Sequence, residues 1–373
     1  TYLINIALTE LFKFFFNYYS VIFALFISNN NNKEKIMNKL TKIGVSALCG
    51  SLAAVSAANA GDMTVSGSVD MSWISFDDEA TGNPIGMGSN VSFTGTGELD
   101  NGWGVKFAVD AKNTLAYSSA NVTVTVPGLG DVLISQGLSG TGIDRMDDST
   151  PTAWEEAYGA GLASGINTIA GASGGAGFEL TPTDLMPSGI VTRFHWSPDV
   201  GGSDAGDKTA GANDSASGQG YDITLTASGD ATPDGLKLYG GYSSTDQEQN
   251  SAIYNSDITE WTAGVEYAVG SFTLGYQYSE EDNARATTTT GYDNTGYGIV
   301  FAINDDLSIG YNNYESKQQG TTERTLEASS FQIAYSAGGL SVRLAEQTVD
   351  NSSYTTAAAN QRDATTISVA LAF

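Results

Sequence analysis

The sequence predicts an all-β chain, a 16-stranded antiparallel β-barrel that crosses a membrane. Three observations carry this. Apolar residues recur with period two: Ile367, Val369, Leu371 and Phe373 share one face while Thr366, Ser368, Ala370 and Ala372 share the other, because side chains alternate across a strand. The connections between such segments are alternately short and long. Aromatic residues sit near segment ends, at Trp73, Trp103, Trp196, Trp261, Tyr267 and Tyr278, where interfacial girdles belong.

Composition agrees. The chain has 373 residues and a formal charge of −26, with 44 Gly and 18 Tyr. From residue 37 on, the only long apolar run is a short signal core, so no transmembrane helix is expected. Modest hydrophobicity suits a membrane barrel, since only alternate residues face lipid. The acidic surplus excludes nucleic acid as a partner, because phosphates would be repelled.

The N-terminal region reads as two segments. Met37, Lys39 and Lys42 form a basic stretch, 43–57 an apolar core, and Ala58-Asn59-Ala60 a small-x-small cleavage site. Residues 37–60 are thus a signal peptide, and 61–373 the exported barrel. Cys49, the one cysteine, would leave with it, giving a thiol-free chain suited to an oxidising compartment. Residues 1–36 read as upstream DNA translated in frame or a disordered leader; the alternative is a membrane anchor over 11–28, interrupted by Lys13 and Asn17. Residues 1–60 carry five Lys and two Glu, so the remainder holds 11 basic and 40 acidic residues, a formal −29.

The strands follow in order. Val65, Gly67, Val69, Met71 and Trp73 define the first, within 63–76. Next come 89–98, 103–112 (Trp103, Val105, Phe107, Val109), 117–126 (Val122, Val124, Val126) and 131–136. Later hairpins pair 188–197 with 219–228, 235–243 with 258–269, 271–281 with 292–303, 306–316 with 327–337, and 339–348 with 363–373. Alternation alone also fits a soluble β-sandwich. Short turns at 100–102, 128–130, 270–271, 304–306 and 338–339, against long stretches such as 198–218, 244–257 and 349–362, favour a barrel. Counting back from Phe373 gives fifteen strands. A bacterial single-chain barrel has an even number, so a sixteenth is placed between 165 and 181, with Phe178 and Leu180 facing lipid. Sixteen strands enclose an aqueous channel.

The connection 138–164 is long and has no strand pattern, and such a segment is usually functional. It holds Asp144, Arg145, Asp147, Asp148, Glu155 and Glu156, with Trp154 and Tyr158. A signal peptide, sixteen amphipathic strands, a long acidic loop after the fifth and a terminal Phe resemble the trimeric general-diffusion porins of Gram-negative bacteria, of alphaproteobacterial type. The resemblance covers 61–373 and rests on architecture. It implies a third external loop folded inward to narrow the pore, with Asp144, Asp147, Asp148, Glu155 and Glu156 as the constriction acids. It also implies a homotrimer, an outer-membrane location and Phe373 as the signal to the barrel-assembly machinery. The loop lacks the Pro-Glu-Phe-Gly-Gly motif of enteric members.

Parity points Lys106, Asp110, Arg193, His195 and Arg343 toward the lumen, because a charge on the lipid face costs ~2–4 kcal/mol at mid-membrane. Glu260 and Glu266 are expected to face water. Excess acid predicts passive diffusion of small hydrophilic solutes and ions with a preference for cations. No cofactor, metal or catalysis is implied. Asp144, Asp147 and Asp148 lack EF-hand spacing for Ca²⁺, and His195, the one histidine, has no Ser or Cys motif to activate. The rival readings are a surface adhesin and an outer-membrane enzyme, separable from a channel by single-channel conductance.

Overall fold

The computed structural model of the chain describes residues 62–77, 81–113, 115–202, 205–211, 217–247, 257–282, 289–356 and 361–372. Residues 1–61, on which the expected leader and signal peptide fall, and Phe373 lie outside them.

The strands are β1 (Met63–Phe76), β2 (Ile85–Glu98), β3 (Gly104–Lys112), β4 (Ala116–Val126), β5 (Gly130–Gln136), β6 (Gly177–Thr181), β7 (Ile190–Ser197) and β8 (Ser217–Ala227). They continue as β9 (Leu236–Gln247), β10 (Ile258–Val269), β11 (Phe272–Asp282), β12 (Thr289–Ala302), β13 (Leu307–Gly320), β14 (Arg324–Ala337), β15 (Leu340–Asp350) and β16 (Arg362–Ala372). Each pairs antiparallel with its sequence neighbours, and β16 returns to β1, closing the barrel. Trp73 stands opposite Ile367 on one side and Ile85 on the other. Closure leaves no unpaired edge, which a sheet in lipid requires. Among the described residues no helix is long and apolar enough to cross a membrane.

The two faces are inverted relative to a soluble protein. Phe93, Phe107, Leu225, Leu274, Ile299, Phe331 and Ile367 are exposed on the outside. Residues of the opposite parity, such as Thr262, Gln277, Gln332 and Ser368, are buried although polar. Side chains alternate across each strand, so this second set points inward.

The sixteenth strand lies where parity required it. In β6, Phe178 pairs with Ile134 and Trp196, and Leu180 with Val132 and Phe194, an unbroken outward row. Gly177 weakens the sequence signal but is needed: a Cβ there would lie 2.4 Å from Cε1 of His195. β6 has five residues, roughly 17 Å at ~3.4 Å each. The wall is low here, and the connection before it has room to turn inward.

Strand ends differ from expectation where the apolar alternation stops. β13 runs on to Gly320 and β9 to Gln247, through residues such as Ser316, Lys317 and Gln318 that are polar on both faces. β2 begins at Ile85, not 89, because Gly86 and Gly88 mute its signal.

Candidate functional site

Residues 137–176 connect β5 to β6. The connection opens on Gly137 and Gly140, at φ 62° and 71°, turns that favour glycine. A 3-10 turn, Gly142–Met146, follows. From there the chain lies against the inward-facing side chains of the barrel. Four kinds of contact hold it.

At the neck, buried wall carboxylates take backbone N–H groups. Glu179 accepts from Gly142 at 2.8 Å and from the Arg145 guanidinium at 2.6 Å. Asp222 accepts from Ile143 at 3.1 Å and Ala172 at 3.2 Å. Glu260 accepts from Ala170 at 3.3 Å and from Gly171.

Across the lumen, side-chain amides bracket the loop backbone. Gln277 accepts from Ser149 N–H at 3.0 Å and donates to Met146 O. Gln332 accepts from Trp154 N–H at 2.8 Å and donates to Glu155 O. Asn312 accepts from Ala157 N–H at 2.9 Å and donates to Thr150 Oγ1 at 2.8 Å. Gln347 accepts from Leu162 N–H at 2.7 Å and donates to Ala157 O at 2.6 Å. An amide suits this task because it offers donor and acceptor together and buries no charge.

Between these brackets the wall is cut away by glycine. A Cβ on Gly298 would lie 2.1 Å from Pro151 O, one on Gly310 3.1 Å from Ala153, and one on Gly241 2.9 Å from Ile143. Gly296 and Gly264 make the same room for the rings of Tyr314 and Tyr239. Both phenols meet the loop: Tyr314 OH accepts from Thr150 Oγ1 at 3.0 Å, and Tyr239 OH donates to Ser149 O at 3.2 Å. Finally, Ala157 and Leu162 pack with Leu326, Ala328, Val349, Tyr354 and Ala364 in an apolar cluster inside the barrel. Burying a leucine side chain is worth ~1.5–3 kcal/mol, so this cluster adds to the hold of the polar brackets.

The five loop acids separate into two groups. Asp144 accepts from Gly140 N–H at 2.5 Å and from Ser173 Oγ at 3.0 Å, tying the two legs at the neck. Asp147 and Asp148 are hydrogen-bonded to each other, as are Glu155 and Glu156. All four are half-buried. Burial foremost, then neighbouring carboxylates, pushes Asp147 up to about 8. Burial and its bond to Glu155 push Glu156 up to about 9. Asp148 is also raised, chiefly by burial. Asp147 and Glu156 are therefore protonated at neutral pH, which lets each pair stay hydrogen-bonded without like-charge repulsion. Tyr158 stands beside them, edge-on to Tyr314 with ring centroids 4.9 Å apart, and burial holds its phenol far above the usual range.

On the wall, Lys106 is exposed on β3 and has no ion-pair partner among the described residues. Asp110 accepts from Ser119 Oγ at 3.2 Å and from Ser92 Oγ. Arg343 bonds Asp70 at 2.9 Å and lies over the Trp154 ring, 5.8 Å from its centroid, joining β15, β1 and the loop. Two expectations need correction, those for His195 and Glu260, and for one reason: the loop covers these side chains. His195 points inward but is buried, its Nε2 donating to Ala172 O at 3.2 Å. Arg193 is half-buried, 3.9 Å from Glu179. Glu260 meets the loop backbone and not water.

The neck carboxylates Glu179 and Asp222 and the four bracketing amides were not singled out in the sequence. Their signal was inward parity on strands facing a long loop, together with the inward glycines. Among the described residues no group of three or more His, Cys, Asp or Glu is placed to hold a metal ion.

The family model described as Gram-negative porin matches residues 44–373. Among solved structures, a loop-deletion mutant of OmpT, an outer membrane protein of Vibrio cholerae, is similar at 12% identity and TM-score 0.62, covering 84% of this chain and 100% of that one. Salmonella typhi OmpF in complex with daunomycin is similar at 11% identity and TM-score 0.61, over 84% of this chain and 98% of that one. A mutant of the Rh. blastica porin shares 17% identity at TM-score 0.53, over 84% and 100%. At such identities these likenesses speak to the fold. No curated protein matches.

Proposed function

The chain belongs to the Gram-negative porin family, the family of outer-membrane diffusion channels, and from that premise we propose that it passes small hydrophilic solutes and prefers cations. The observation that carries this reading is the imbalance of charge around the loop. The loop acids Asp147, Asp148, Glu155 and Glu156 have no basic partner in the ion pairs of the described residues, whereas Arg145, Arg193, Lys237 and Arg343 each face a wall acid. Each hydrogen-bonded pair of loop acids presents negative charge to an ion passing the constriction, and more of it as Asp147 and Glu156 ionise at higher pH. Rings of Asp and Glu favour cations, and the net acidic charge of the chain concentrates them near the mouth, less so in high salt.

Assembly as a homotrimer, export by residues 37–60, and recognition of Phe373 by the barrel-assembly machinery belong to the same reading. One solved neighbour, OmpT of Vibrio cholerae, is a trimer form, which supports the first of these. The test is reconstitution of the refolded 61–373 chain in planar bilayers. Large, salt-dependent conductance with steps in threes and a cation-sided reversal potential is the expected result. A chloride-sided potential would overturn the preference, and electrical silence would favour an adhesin.

A further inference from the structure

We infer that Asp222 and Glu260 are positioning residues, which hold the neck of the loop by its backbone and are separate from the acids that an ion meets. Both face inward, and on charge and parity alone both would join the pore-lining acids. Their surroundings say otherwise. Asp222 is 4% and Glu260 6% exposed. Asp222 grips both legs at once, Ile143 on the way in and Ala172 on the way out. Glu260 takes the two residues before Ala172. A carboxylate makes stronger bonds to N–H donors than a neutral oxygen does, and here backbone donors take the place of water.

The backbone of the neck is fitted to these carboxylates. Gly142 and Gly171 sit at φ 54° and 58°, where glycine is favoured. A Cβ on Gly142 would lie 1.8 Å from Asp222 Oδ2, and one on Gly171 2.9 Å from the same carboxylate. Two glycines on opposite legs are thus closed around one side chain. His195 completes the grip: Ala172 O can only accept, so Nε2 carries the hydrogen.

The inference deepens the constriction reading and rests on it. The test compares isosteres with truncations in the same bilayer assay. Asp222→Asn and Glu260→Gln keep an acceptor oxygen at the neck while removing the charge. Asp222→Ala with Glu260→Ala removes the acceptors. Each isostere loses one of two accepting oxygens, so the reversal potential is expected to stay at the wild-type value and the conductance to rise less than in the alanine pair. The alanine pair is expected to raise conductance and open-channel noise, with heat-resistant mobility in detergent gels reporting the folded barrel. Isosteres that shift the reversal potential as far as neutralising the four loop acids would overturn the assignment. So would a folded alanine pair with unchanged conductance. If loop-acid neutralisation left the reversal potential unmoved while the alanine pair still raised conductance, positioning would stand and the selectivity reading would fail. The isosteres keep the assignment falsifiable even if the alanine pair does not fold.

Discussion

Gly275 on β11 faces Pro151 of the loop so closely that a Cβ on it would lie 2.2 Å from Pro151 Cδ. With Gly298 against the carbonyl of the same proline, the loop is seated in the wall. Gly275→Val fills that seat. Overpacking of this kind costs typically ~1–3 kcal/mol, and the loop relieves it by moving toward the lumen axis. Single-channel conductance is expected to fall, and a rise or no change would contradict the seating.

The apolar cluster gives a second expectation. Leu162 is buried against Leu326 and Val349 inside the barrel. Leu162→Ala removes that contact and leaves a cavity, a change that costs ~2–5 kcal/mol in well-packed sites. Urea unfolding in detergent micelles should show a lower midpoint. An unchanged midpoint would mean that the amide brackets alone hold the loop.

These contacts mark where the sequence was legible. Parity of apolar residues located every strand, down to β6, because lipid demands an outward row such as Ile134, Phe178 and Trp196. It also told which residues point inward. It did not tell which inward residues meet water. Lys106 remains exposed while His195 and Glu260 are buried, and the difference is set by a loop more than a hundred residues from some of its partners, as with Gln277 and Met146. A long-range backbone bracket leaves no periodic trace. Its nearest trace is glycine at inward positions, such as Gly275, Gly298 and Gly310, where a strand has no local reason to carry it.

Selectivity should depend on pH. An acid whose pKa is raised stays neutral below that value and gains its charge above it. Asp147, at about 8, and Glu156, at about 9, therefore add negative charge as pH rises. Cation preference should strengthen between pH 7 and 10, roughly one unit either side of those values. Reversal potentials across that range check it, and Asp147→Asn with Glu156→Gln should flatten the curve.

Arg343 offers a contrast of charge with stability. Its bond to Asp70 joins two partly exposed side chains, and such pairs contribute ~0–1 kcal/mol. Arg343→Gln should barely change unfolding yet leave Asp70 uncompensated. The reversal potential is expected to move further to the cation side, and a move toward chloride would contradict this.

In the proposed channel the loop acids set the preference for cations. The deciding measurement is the zero-current potential in a salt gradient, for the native channel and for Asp147→Asn, Asp148→Asn, Glu155→Gln and Glu156→Gln combined. The expected result is a cation-sided potential that collapses toward zero in the combined variant while the channel still conducts. A native potential on the chloride side, or a cation-sided potential untouched by the four substitutions, would contradict it.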